Sequence, residues 1–314
     1  MSTFHLESTL DTSINYFSPE SEPVLTVAPG DTVVVHSLDA SGYTERQRTP
    51  GEAVPTLFER GKGHCLVGPI AVDGALPGQV LAVHLTSLRP DEWGWTASAA
   101  IDNPLNRALG LTRGNGSESN WLLWELDPDR AIGTNQLGLS VALAPFLGVT
   151  GLPPAERGRH STVPPRTVGG GNIDCRELVA GSTLYLPITV AGAMLLVGDG
   201  HAAQGDGEVS GTAIECGMTT EFTLDLVSDA PLDSIHAVTP AGRITFGFDA
   251  DLNQATTAAL DAMALWMQQL FGISKPQAVA MASVSVSMRI TQIANQTWGV
   301  HALLPHDAIL RAAE

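Results

Sequence analysis

Positive charge is scarce in this chain: 16 lysines and arginines stand against 33 aspartates and glutamates, a formal net charge of -17. A nucleic-acid backbone or an anionic membrane surface is therefore repelled at long range, and neither is expected as a partner. Cysteine is also scarce. Cys65, Cys175 and Cys216 are odd in number, widely spaced and without a CxxC pair, which excludes a disulfide framework or a zinc knuckle and predicts reduced thiols. Long apolar runs are missing. The most continuous one, Leu184 to Val197, is broken by Pro187 and Gly192, and it falls short of the roughly 18 residues that a membrane-spanning helix needs. The opening residues MSTFHLESTLDTS hold neither a basic leader nor an apolar core, so no export is expected and the cytoplasm is the expected compartment.

What the chain does have is 44% apolar residues and 32 glycines over 314 positions, the make-up of a globular protein. Its local rhythm is that of strands. Pro29-Gly30-Asp31 leads into Thr32 to Val35, Pro77-Gly78-Gln79 into Val80 to Leu85, and Ala180-Gly181-Ser182 into Thr183 to Val190, each a turn followed by a β-branched or apolar run. Ala193 to Val197 then returns after Gly192, as the second strand of an antiparallel pair would. Leu252 to Phe271 is the first strong helix, with Ala255, Ala259, Met263, Trp266 and Leu270 at helical spacing and Gly272 as its stop. Ser274 and Pro276 start a second helix through Ala282, and Arg289 to Asn295 with Gly299 to Leu304 reads as a closing hairpin.

The expected organisation has four parts. Residues 1–150 form a β-rich region with long loops, Asn103 to Asn120 among them. Residues 151–171 hold Pro153, Pro154, Pro164 and Pro165 and form a linker or lid. Residues 172–250 form a central β region, and residues 251–314 a helix pair with its hairpin. Arg157, Arg159 and Arg166 are expected to pair with surface carboxylates, Trp93 and Trp95 to sit in a loop as packing groups, and His64 and His84 to lie in strand cores or turns.

Polar groups that carry chemistry concentrate in Gly198-Asp199-Gly200-His201-Ala202-Ala203-Gln204-Gly205-Asp206-Gly207-Glu208, with Glu215 shortly after. Asp199 and His201 are two apart, which in an extended backbone puts a carboxylate and an imidazole on one side, where they can share a divalent ion. Glu215 can add a third ligand from the next strand. Oxygen ligands with one imidazole suit zinc or another first-row divalent ion at an open site. The same residues would also make a polar hairpin loop with a surface histidine, and both readings stand at this level. Upstream, three glycines precede Asn172, Asp174 and Cys175, and Asp39 ends the strand after His36, which stays in reserve as a ligand.

The string GGNIDCRELVAGSTLYLPITVAGAMLLVGDGHAAQGDGEVSGTAIE, Gly170 to Glu215, resembles the central signature of the acetamidase/formamidase family. CLVGPIAVDGALPGQVLAVHL, Cys65 to Leu85, resembles its N-terminal block, and APGDTVVVHSLDA, which carries Asp39, its first strand pair. The likeness covers most of the chain and is weak from Asp91 to Pro165. It implies a mainly β (α+β) fold, with sandwich and barrel-like elements and a small C-terminal α/β portion. It also implies hydrolysis of short amides such as formamide or acetamide to carboxylate and ammonia. The family's acidic and histidine positions fall on Asp39, Asp174, Asp199, His201, Glu208 and Glu215.

Among these positions the division of roles is our own reading of residue chemistry: Asp39, Asp199, His201 and Glu215 are expected to hold a divalent metal, zinc first, with room for a second ion such as calcium. Glu208 is expected to carry the proton, with Asp174 as the other catalytic carboxylate. Gln204 and Asn172 are expected to bind the amide. The partners expected are the amide itself and further copies of the chain in a homo-oligomer. Two rivals remain: an amidase with Cys175 as nucleophile and His201 as base, and a metal-stabilised β binding module without activity.

Overall fold

The computed structural model describes residues 1–98, 104–111 and 120–310. Strands outnumber helices 18 to three among these residues, and their pairings join into one network. Most pairs are antiparallel. The parallel ones are Thr3–Glu7 with Thr32–Ser37 and Leu25–Val27 with Leu66–Val72. The protein is therefore mainly β, with a small C-terminal helical part.

Burial along the strands says where the layers meet. Thr32–Ser37 alternates, burying Val33, Val35 and Ser37 on one face, the pattern of a strand covered on one side. Leu66–Val72, Phe146–Gly151 and Leu195–His201 are buried at every position, which requires cover on both faces. The main apolar core gathers around them, from Val33, Leu81, Leu195, Phe222 and Phe246 among others.

The helix Leu252–Phe271 forms as its spacing predicts. Asp251 caps it by accepting from the Asn253 amide, and Gly272 ends it at φ 69°, a left-handed angle that glycine adopts without strain. Its small residues let it lie close to the sheet: a Cβ on Gly247 would meet the Ala259 amide nitrogen at 2.6 Å. The second helix, Lys275–Ser285, begins where Gln277 accepts from the Ser274 amide (2.9 Å). Ala255, Ala259, Met263 and Ala278 pack with Val300 and Ala302 as a separate small core. The closing hairpin is Ser287–Gln292 with Trp298–Leu304. No described helix is long and apolar enough to cross a membrane.

Several local expectations are corrected. Thr183–Pro187 and Leu195–His201 do not pair with each other. The first pairs with Val80–Ser98 and His236–Thr239, and the second with three other strands. Gly192, Ala193 and Met194 all take left-handed angles, and Gly192 bonds across to Val72 and Ala75, so the chain crosses to a different neighbour instead of folding back. The strand that starts at Val80 runs on to Ser98, which places Trp93 and Trp95 in a strand and not a loop. Within Asn103 to Asn120, Pro104–Ala108 is a helix, and residues 103 and 112–119 lie outside the described ones. In the 151–171 segment Arg157 pairs with Glu20, as expected. Arg159 instead lies over the Tyr16 ring at 4.2 Å and Arg166 over the Phe17 ring at 4.4 Å, cation–π contacts in place of carboxylate pairs.

Candidate active site

The strand Leu195–His201 carries the first two site residues, and its neighbours supply the rest. Pairing with Glu215–Val227 sets Glu215 opposite His201, and pairing with Phe146–Gly151 brings Gly148 beside them. Asp199 and His201 thus stand on the strand itself, which runs past Val197, where its apolar run ends, to His201. Gly170–Asn172 pairs with the far end of Phe146–Gly151 and delivers Asp174. The loop after His201 delivers Glu208, whose φ of 44° is left-handed. Gly207 in that loop bonds to Thr291 and Ile293 of the C-terminal hairpin region, which holds the loop in place.

Two groups of donor atoms converge and share His201. Asp199, His201 and Glu215 form one, Asp174, His201 and Glu208 the other, each with its atoms within 4.8 Å of one another and all three residues buried. His201 Nε2 lies 3.4 Å from Asp199 Oδ1 and 3.4 Å from Glu215 Oε2. Its Nδ1 meets Gln204 Oε1 at 2.9 Å, and Gln204 Nε2 donates to the Asp174 carbonyl at 2.7 Å. Because the Gln204 nitrogen is already donating, its oxygen accepts from Nδ1–H, and Nε2 is left facing the carboxylates. A side chain on Gly148 would fill the space between them: its Cβ would run into Asp199 Oδ2 and lie 2.8 Å from Asp174 Oδ1 and 2.9 Å from His201 Cε1.

Four carboxyl groups share this volume with one imidazole, and among the described residues no lysine or arginine pairs with any of them. Burial pushes the Asp174 carboxyl well above its usual range, and the Asp199 and Glu215 charges add to the rise. Burial, then the Asp174 charge, does the same to Glu208. Glu215 is raised by burial as well. Burial disfavours charge on His201, yet the Glu215 and Asp199 carboxylates raise it well above its ordinary value. Asp199 is buried too, but His201 and His64 hold it low. Among the described residues, both oxygens of Asp174, Asp199 Oδ1 and Glu215 Oε2 have no hydrogen-bond partner. Buried acceptors without donors cost about 1–3 kcal/mol each, more when charged, and a divalent cation is the group that would satisfy several at once.

Other expected residues fall elsewhere. Asp39 is in neither converging group; its oxygens accept from Trp95 Nε1 (3.1 Å) and the Tyr43 amide (3.2 Å), and burial raises its carboxyl to about 7. Asn172 is buried with Oδ1 unpartnered. Gln204 has both ends of its amide engaged, so it orients His201. Cys175 is fully buried, and its thiol is pushed well up by burial and the Glu177 charge. It faces Glu177 and His301 instead of His201. His36 bridges Glu7 and Asp91, away from the cluster.

Sequence reasoning missed two residues. His64 Nε2 lies 3.9 Å from Asp199 Oδ2, and its Nδ1 is paired to Thr162 Oγ1 at 2.9 Å. Nothing in its surroundings in the chain marks it. Gly148 had a usable signal, since a glycine inside an apolar strand run marks a close approach. Beside the cluster opens a cleft of about 360 Å³, lined by Glu208 and Gln204 together with Thr96, Trp124, Val141 and Thr212.

The sequence pattern of the acetamidase/formamidase family matches residues 4–160 and 155–309. An acetamidase of Mycolicibacterium smegmatis is 26% identical over 285 residues, which cover 71% of this chain and 68% of that protein. A formamidase of Methylophilus methylotrophus is 24% identical over 267 residues, 68% of this chain and 64% of that protein. The crystal structure of an acetamidase from Yersinia enterocolitica superposes with a TM-score of 0.84 at 26% identity, covering 98% of this chain and 93% of the other.

Proposed function

Because the chain belongs to the acetamidase/formamidase family, we propose that it is an amidase that hydrolyses short aliphatic amides to carboxylate and ammonia at the His201 cluster. The observation that carries this reading is the convergence of buried, unpartnered carboxylate oxygens on His201 Nε2 beside an open cleft. Asp199, His201 and Glu215 would hold one divalent ion, zinc by the chemistry of the donors. His201 offers a single free ring nitrogen, which supports one ion held with Asp199 and Glu215 while Asp174 and Glu208 stay beside it. Held by these residues, a divalent ion would supply a lowered water pKa and polarisation of an amide carbonyl.

The remaining steps belong to the side chains. Glu208 lines the cleft while Asp199 and Glu215 stand on the inner strands, which supports Glu208 as the carboxylate that would take a proton from the attacking water and return it to the departing nitrogen. The water oxygen bonds to the carbonyl carbon, the C–N bond breaks, and ammonia leaves. Asp174 has two unpartnered oxygens that can accept from an amide NH2. Gln204 keeps His201 turned with Nε2 inward, and Trp124 and Val141 give the cleft apolar walls suited to a short alkyl chain.

Ammonia release from a panel of short amides, measured with elemental metal analysis on one preparation, tests the reading. The purified protein is expected to carry a divalent metal and release ammonia, and His201→Ala to lose both while staying folded. Full metal content or full turnover in His201→Ala overturns it.

A further inference from the structure

A second buried cluster lies outside the carboxylate site. Cys175, Glu177 and His301 are each buried, and their sulfur, oxygen and nitrogen donor atoms lie within 4.8 Å of one another. Cys175 Sγ is 3.4 Å from Glu177 Oε2, and His301 Nε2 is 3.2 Å from the same oxygen. Donors bonded to one tetrahedral zinc at about 2.0–2.3 Å stand roughly 3.3–3.5 Å apart, so these separations match a shared ion.

Two further features point to a ligand. His301 is fully buried, and beyond the Glu177 oxygen it faces its Nε2 has no partner among the described residues. Its other ring nitrogen is held by Thr291 Oγ1 at 2.8 Å, the outer contact that fixes the ring of a metal-bound histidine. Arg289 Nη1 donates to Glu177 Oε1 at 2.6 Å, so one oxygen is anchored and the other is left for the cluster. Burial alone would raise the Glu177 carboxyl, but His301, Cys175 and Arg289 more than offset it and hold it at about 2, so the group is ionised at neutral pH. The thiol, by contrast, is protonated in the absence of a cation.

We propose that Cys175 Sγ, Glu177 Oε2 and His301 Nε2 form a second metal site, selective for a thiophilic divalent ion of the zinc class. Binding breaks the S–H bond and forms a sulfur–metal bond, and the proton leaves to solvent without any change of oxidation state. A sulfur donor beside nitrogen and oxygen favours zinc over magnesium or calcium, so this site differs in preference from an all-oxygen one. It joins the segment that follows Asp174 to the hairpin Ser287–Gln292 and Trp298–Leu304, two parts of the chain more than a hundred residues apart. The proposal does not depend on the amidase reading.

Cobalt(II) is the probe, because a thiolate bound to it gives a near-ultraviolet charge-transfer absorption that carboxylate and imidazole ligands do not. Full-length protein stripped of metal and reloaded with cobalt is expected to bind two equivalents and show that band. Cys175→Ser and His301→Gln are each expected to lose the band and one equivalent, while the equivalent at the His201 cluster and ammonia release from amides persist. Absence of the band from the unmodified protein overturns the proposal and leaves a buried ion-pair network. Survival of the band in Cys175→Ser also overturns it. Loss of amide turnover alone, with the band intact, speaks only to the His201 cluster.

Discussion

Asp39 and Asp174 are equally buried, each 1% exposed, and both carboxyls are raised by that burial. Their surroundings are opposite. Asp39 is met by the Trp95 indole N–H and the Tyr43 amide, whereas neither oxygen of Asp174 has a donor. The first is a carboxylate that the fold has already satisfied, a brace between the 39–43 turn and the strand that carries Trp95. The second stands beside Asp199 Oδ1 and Glu215 Oε2, which likewise have no hydrogen-bond donor among the described residues. Burial and a raised pKa are thus common to both, and the presence or absence of hydrogen-bond donors is what differs.

The most damaging test of this contrast is Gly148→Ala. Its methyl group would occupy the space between Asp199, Asp174 and His201, so metal and amide turnover are both expected to be lost, turnover by more than about 100-fold, as for a displaced reacting group. Elemental analysis and ammonia release on a folded preparation check it, and a variant with normal metal and rate would show that the groups do not enclose an ion over Gly148.

Glu208→Gln sharpens the division of labour within the cluster. Metal content is expected to stay whole while kcat falls by a factor on the order of 100 to 10000, the range for a lost general acid/base. If metal is lost instead, Glu208 is a ligand. Full activity with full metal would leave it as a turn residue.

The smallest effect is expected from Asp39→Asn. Metal stoichiometry should not change, turnover should stay within about tenfold, and the loss of well-paired hydrogen bonds should cost about 1–3 kcal/mol of stability, read from denaturant melts. Loss of metal from this variant would erase the contrast and return Asp39 to the expected ligand set.

Much of this was readable in the order of residues, for identifiable reasons. The helix Leu252–Phe271 was legible because its apolar residues recur at helical spacing and its stop signal, Gly272, is local. Asp199, His201, Glu208 and Glu215 were legible as candidates because they crowd into a short glycine-rich stretch. The pairing of Thr183–Pro187 was not, since a strand's sequence states that it wants neighbours without saying which. That Trp95 donates to Asp39 was not legible either, because the two are far apart along the chain.

Composition and periodicity, then, determined a mainly β protein with a C-terminal helix pair, an acidic character and a short list of reactive side chains, because those properties depend on residues close together in the chain. Tertiary structure alone decided that Gly148 leaves the space the site needs, that His64 stands beside Asp199 at 3.9 Å, and that His301 meets Glu177 at 3.2 Å. Each of these depends on strands or loops brought together from distant positions. Whether a buried oxygen finds a donor is settled by that packing, since a carboxylate's own residue type says what it can accept and nothing about what will be there to give.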